Sequence, residues 1–145
     1  MSGIIVGVDG SGHSQRALEW AAREAALRHV RLTVLTVHQA VAGFAGPVAY
    51  PGDQPATEHG RELAQAETDK ALEAIGARQP TEVVVRAVNG LPAQELLSAA
   101  EGAEMLVIGS RGAGGFTRLL MGSVSSQVTH HADCPVVVIP ADNRQ

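Results

Sequence analysis

The stretch Glu104–Ser126, EMLVIGSRGAGGFTRLLMGSVSS, decides how the chain is read. A short apolar run, Met105 to Ile108, breaks into Gly109-Ser110-Arg111-Gly112, continues through Gly114 and Gly115, and reaches Gly122-Ser123 ahead of Val124. In α/β sheets a buried strand hands over in this way to a ligand-facing turn. The second glycine–hydroxyl step is placed to open a helix, where free N–H groups and the helix dipole favour an anion. The segment therefore reads as a phosphate-binding loop.

Outward from this stretch the pattern repeats. Gly3–Val8 is a nearly continuous apolar run of the kind that suits a parallel strand covered on both faces, and Asp9-Gly10-Ser11-Gly12 ends it. A helix is expected from about Ser14, as N-cap, to His29, with Leu18, Ala21, Ala22 and Ala25 as its inward stripe. Arg31–His38 reads as the second strand. Gln39–Thr57 carries Gly43, Gly46, Pro47, Pro51, Gly52 and Pro55; it is expected to be irregular, either partly disordered or a functional flap, with Phe44 and Tyr50 as local anchors.

A long helix is expected over Glu58–Arg78, with Leu63, Ala64, Ala71, Leu72 and Ile75 inward. Glu82–Val88 is the third strand, Asn89-Gly90 a turn, and Pro92–Ala100 the third helix, with Leu96, Leu97 and Ala100 inward. After the strand Met105–Ile108 a fourth helix runs from Gly122 to about His130, and Val136–Ile139 is the fifth strand. Strand and helix alternate throughout. The expectation is one domain over 1–145: an α/β, doubly wound, open parallel sheet of five strands with four helices, of the Rossmann-like nucleotide-binding kind.

Composition narrows the function. The formal net charge is −4 and no Lys/Arg block occurs, which speaks against a non-specific nucleic-acid binder. The single Cys134 allows no intramolecular disulfide and no cysteine metal cluster; it is expected to serve as a small buried hydrophobe. The opening MSGIIVGVDG lacks the basic n-region and long h-region of a secretory leader, and no apolar run has the length of a membrane span. A cytoplasmic setting is the expectation.

Ligands of such sheets bind beyond the carboxyl ends of the strands, which brings together Asp9–Ser11, Val37–Ala40 and Gly109–Ser125. An acid after a strand can accept hydrogen bonds from ribose hydroxyls. Main-chain N–H groups near Gly109, Gly112, Gly122 and Ser123 can cradle phosphates, with Ser123 and Ser125 adding hydroxyls and Arg111 or Arg118 positive charge. The loop is neither a Walker P-loop nor a dinucleotide fingerprint. A serine nucleophile is disfavoured for want of Gly-x-Ser-x-Gly, and the histidines and acids show no metal-ligand spacing. His38 is a minor candidate for nucleotide contact; His29, His59, His130 and His131 are read as surface or helix-end residues.

Gly109-Ser-Arg-Gly112, nine residues, then Gly122-Ser123 resembles the Gly-x-x-Gly-(nine)-Gly-(Ser/Thr) pattern of the universal stress protein family. Ile4-Ile-Val-Gly-Val-Asp9-Gly-Ser11, Asn89-Gly90-Leu-Pro92-Ala93 and Cys134-Pro135-Val136-Val-Val-Ile139 are similar to its first strand and turn, its turn before the third helix and its last strand. The resemblance implies a strand order of 3-2-1-4-5 and ATP as ligand, with Mg²⁺ as a companion ion. It implies that Asp9 contacts the adenosine part, that Val37 meets adenine through its main chain, and that Gly109, Gly112, Gly122 and Ser123 hold ribose and phosphate, with Val124 and Ser125 beside them.

It also implies a homodimer through the last strand, consistent with an apolar edge that needs cover, and a regulatory stress-response role exercised through a protein partner. Catalysis is not expected, because Asp9 is the one acid the sequence puts at the site. The alternatives are a slow ATP hydrolase and a nucleotide-free, chaperone-like dimer.

Overall fold

Valine, isoleucine and leucine alternate across the strands of a parallel sheet whose two faces are buried separately. The computed structural model describes residues 3–10, 12–39, 41–43, 46–48, 53–110 and 123–140, and side chains are described for all of these except 41–43, 46–48 and 53–55. The elements are β1 (Ile4–Val8), α1 (Gly12–Arg28), β2 (Leu32–Gln39), β3 (Val41–Gly43), β4 (Gly46–Val48), α2 (Asp53–Ile75), β5 (Val83–Gly90), α3 (Pro92–Ala99), β6 (Met105–Gly109), α4 (Ser123–His131) and β7 (Val136–Ile139). Five of the strands form one sheet in the order β5-β2-β1-β6-β7, every neighbouring pair parallel. With the small β3–β4 pair set aside this is the 3-2-1-4-5 order, a Rossmann-like, doubly wound fold with four flanking helices.

Strand side chains alternate between faces. Ile4, Val6 and Val8 of β1, Leu32 and Val34 of β2, and Met105 and Val107 of β6 form one cluster with α1 and α2. Ile5, Leu35, Leu106 and Ile108 turn to the other face and meet α3 and α4. Each large aliphatic side chain removed from water this way contributes about 1.5–3 kcal/mol. Ala17, Leu18, Ala21, Ala22 and Ala25 give α1 a fully buried stripe, and the small alanines allow the helix to lie close on the sheet. Trp20 lies against the same cluster from its margin.

Gly7 has a similar cause: a Cβ there would come within 2.8 Å of Leu96 Cδ2, so the Leu96 side chain of α3 fills the space that a side chain on this strand position would take.

Helix ends follow local chemistry. At the end of α1, His29 takes a left-handed conformation (φ 58°). Its N–H donates to the Ala26 carbonyl (3.3 Å) and that of Val30 to the Ala25 carbonyl (3.0 Å), a Schellman closure with histidine where glycine is usual.

Several sequence expectations are corrected. Helix α1 starts at Gly12, so Ser14 is inside the first turn rather than its cap; its Oγ accepts the Asp9 N–H at 3.2 Å. Gln39–Thr57 is not wholly irregular. Strands β3 and β4 pair antiparallel, Val41 with Val48 and Gly43 with Gly46, and α2 begins at Asp53. Pro55 does not delay that helix, because first-turn N–H groups have no intrahelical acceptor to lose. Phe44 and Tyr50 lie outside the described residues.

At its other end α2 stops at Ile75, short of Arg78. Gly76 is left-handed there (φ 85°), and the Gln79 side chain donates to the carbonyls of Leu72 (2.9 Å) and Gly76 (2.6 Å). Leu63 is exposed; the buried stripe is Ala64, Thr68 and Ala71, in which Thr68 satisfies its hydroxyl on the Ala64 carbonyl (2.7 Å). Asn89 and Gly90 continue β5, in register with His38 and Gln39, instead of turning. Among the described residues no helix is long and apolar enough to cross a membrane.

Candidate functional site

The chain runs outward from β1 to β2 and β5, then crosses by α3 to β6 on the other side of β1. The strand order reverses between β1 and β6, and sheets of this type take their ligands beyond the carboxyl ends of the strands at such a point. Ile4, Ile5 and Val6 pair with Met105, Leu106 and Val107. Asp9 follows the end of β1 and Ser110 the end of β6. Two of the segments singled out in the sequence, the acid after β1 and the glycine–serine step after β6, therefore leave the sheet at the same end of adjacent strands.

Asp9 is exposed, in a turn shaped by left-handed Gly10 (φ 83°) and held by the hydrogen bond from its N–H to Ser14. Gly109 closes β6 opposite Ile139. Next to it Ser110 is buried; its N–H donates to the Ile139 carbonyl (2.9 Å), and its own carbonyl accepts the Ser125 hydroxyl (3.2 Å). Ser123 opens α4 and is exposed, Val124 packs against the α3–α4 core, and Ser125 is buried. The first-turn N–H groups of α4 lack acceptors within the helix.

Val37 lies on β2, on the far side of β1 from β6, paired with Val88 and packed toward the α3 face. His38, next along, pairs in register with Asn89, so the two side chains share the opposite face. There the Thr57 hydroxyl donates to Asn89 Oδ1 and joins α2 to the end of β5. Ser11, Arg111, Gly112, Arg118 and Gly122 lie outside the described residues.

Glu67 is the residue that sequence reasoning missed. Burial, and after it the charge of Asp9, raise its carboxyl pKa above the ordinary glutamate range, while Lys70 pulls it down. The Glu67 carboxyl thus feels the Asp9 charge. The available signal was positional: Glu67 stands three residues after Ala64 and four before Ala71, on the flank of the buried stripe. Among the described residues no group of three or more His, Cys, Asp or Glu is arranged to hold a metal ion. Cys134 is half-buried against the α3–α4 core, and burial, followed by the Asp133 charge, raises its thiol pKa.

The universal stress protein family model matches residues 1–140. Universal stress protein Rv2005c of Mycobacterium tuberculosis is 38% identical over 143 residues, covering 97% of this chain and 48% of that protein. The chain spans about half the length of the curated relatives it matches. Among solved structures, a universal stress protein in complex with cAMP superposes with a TM-score of 0.68 at 26% identity, covering 96% of both chains. The universal stress protein from Archaeoglobus fulgidus in complex with dAMP gives 0.60 at 28% identity, covering 96% of this chain and 98% of that one. With the sheet order and the family match in agreement, this chain belongs to the universal stress protein family.

Proposed function

We propose that the chain binds an adenine nucleotide, ATP in the first instance, in the crevice between β1 and β6, and acts as a nucleotide-dependent regulatory module of the stress response. The observation that carries this reading is the exit of the chain to Asp9 and to Gly109–Ser110 at the same end of two adjacent parallel strands, at the point where the strand order reverses, with α4 following in sequence. Relatives captured with cAMP and with dAMP support the adenylate class. Asp9 and Ser11 would serve the ribose and Val37 the adenine. Gly109, Arg111, Gly112, Gly122 and Ser123 would cradle the phosphates, with Val124 and Ser125 at the base of the cradle. Only the sequence spacing speaks for Arg111, Gly112, Gly122 and Ser11.

Any Mg²⁺ would arrive on the phosphates, since the described side chains offer no cage of three or more ligands. Nucleotide would change the surface around the crevice, and a protein partner would read that surface. A homodimer through β7 fits the same reading: β7 forms one edge of the sheet, and Val136, Val137 and Val138 are only half-buried there. We retain the cytoplasm as the setting and a single domain over the chain.

The test is direct titration of nucleotide-free protein with ATP, AMP, cAMP and GTP by calorimetry. Saturable binding of an adenylate, with GTP weaker, supports the proposal, and the rank of ATP against cAMP assigns the ligand. Absence of heat with every adenylate removes it. Slow hydrolysis is the second reading; in its favour is the Glu67 carboxyl, which feels the Asp9 charge. ATP that stays intact over hours with Mg²⁺ rules hydrolysis out.

A further inference from the structure

We infer that Asn89 is a positioning residue for the base end of the nucleotide site: it ties the end of β2, where the adenylate reading puts adenine, to the start of α2. The inference rests on that reading. Strand β1 pairs with β2 only as far as Val8 with Thr36. The pairing of β2 with β5 runs on, through Val37 with Val88, His38 with Asn89 and Gln39 with Gly90. Val37, His38 and Gln39 therefore overhang β1, and β5 is their neighbour in the sheet. The overhang lies at the carboxyl end of the sheet, on the strand next to the one that Asp9 follows, which is the end where such folds take ligands.

A two-stranded extension is marginal by itself and gains from packing against a helix. Helix α2 supplies that support. It crosses β2 closely enough that a Cβ on Gly60 would lie 3.9 Å from the Thr36 methyl. One turn nearer the helix start, the Thr57 hydroxyl donates to Asn89 Oδ1. Asn89 thus meets both ends of the connection between β2 and α2: His38 through strand pairing and Thr57 through its side chain. Thr57 and Asn89 are half-buried, so water competes with their bond less than it would at an open surface. On the opposite face, Val37 and Val88 pack against the α3–α4 core. The overhang is held from both faces, and the Thr57–Asn89 bond is the hold on the α2 side. Breaking it loosens the main chain of Val37–Gln39, and the penalty falls on a ligand whose base is met there.

The experiment is a double-mutant cycle of Asn89→Ala and Thr57→Val, with Thr57→Ser as the variant that keeps the hydroxyl. The cycle isolates the shared bond from any other contact of either residue. Each protein is titrated with adenosine, by competition against a fluorescent adenylate, and hydrogen exchange is followed at the Val37–Gln39 amides. Each single substitution is expected to lose about fivefold in adenosine affinity and to speed exchange at those amides, and the double variant to lose no more than either alone. Thr57→Ser is expected to stay within about twofold of wild type. Losses that add, a loss with Asn89→Ala that Thr57→Val does not share, unchanged affinity in both single variants, or unchanged exchange at Val37–Gln39 overturn the inference and leave the site reading intact. If wild type takes up neither adenosine nor ATP, the site reading fails and this inference with it. Should Asn89→Ala not fold, Thr57→Val against Thr57→Ser decides the matter by the same two readouts.

Discussion

Glu67 of α2 and Asp9 after β1 are electrostatically coupled: burial raises the Glu67 carboxyl pKa most, the Asp9 charge raises it further, and Lys70 opposes both. The folded state therefore holds the Glu67 proton more tightly than the unfolded chain does. Its contribution to stability is complete below the unfolded value of about 4.3 and is lost as pH rises through the higher folded value. Glu67→Gln removes that loss. In denaturant titrations the variant should match wild type near the acidic end, once acid destabilisation common to both is subtracted, and exceed it at neutral pH. A difference that is constant with pH contradicts a raised Glu67 pKa. If ATP binds beside Asp9, the same variant should bind it more tightly, with a gain that shrinks as salt is raised.

Gly122 precedes the exposed Ser123 that opens α4. Gly122→Glu puts bulk and a like charge where phosphate would meet the helix N-terminus. The expected outcome is loss of measurable ATP binding with an unchanged circular-dichroism spectrum. Retained affinity in the folded variant would mean that phosphate does not sit at this turn.

The left-handed histidine at the end of α1 offers a test of local energetics. A non-glycine residue in that region costs about 1–2 kcal/mol, and His29 is exposed, with its closure made by main-chain groups alone. His29→Gly should raise the unfolding free energy by roughly 1 kcal/mol, the relief of strain outweighing glycine's extra unfolded-state entropy. Chemical denaturation decides it, and a loss of stability would be the contrary result.

Gly7 and Leu96 test the close approach of α3 to β1. A Cβ on Gly7 would come within 2.8 Å of one Leu96 methyl and 3.3 Å of the other. Gly7→Val should cost about 1–3 kcal/mol by overpacking. Combining it with Leu96→Ala should recover part of that cost, since the two changes occupy one space. Strict additivity would show that the clash is relieved elsewhere.

Most of the sheet was legible because its strands are uninterrupted: Ile4–Val8, Leu32–Val37 and Met105–Ile108 are apolar on both faces, as strands covered by helices on each side must be. The α1 stripe was legible for the same reason. The misreadings concern residues whose meaning depends on position. Pro55 signals a break in isolation and is harmless in a first helical turn. Asn89-Gly90 has turn composition, yet pairing with His38 and Gln39 keeps it extended. Leu63 follows the helix period only approximately, and one step of about 100° separates it from buried Ala64.

Within the candidate site, Asp9 and the glycine loop carry composition that can be read directly. Glu67 comes from a helix far along the chain, and only tertiary packing brings it to Asp9. Ser125 was legible as a site hydroxyl, but its direction toward Ser110 required coordinates.

The central claim is that the crevice beside Asp9 and Gly109 takes an adenine nucleotide. The most direct measurement is to denature freshly purified protein, collect the released small molecules, identify nucleotides by mass spectrometry and quantify them against protein, then titrate whatever fraction is empty. The account predicts an adenylate close to one per chain, or saturable uptake of ATP by empty protein with the same stoichiometry. Protein that is empty on purification and takes up neither ATP nor cAMP would contradict it.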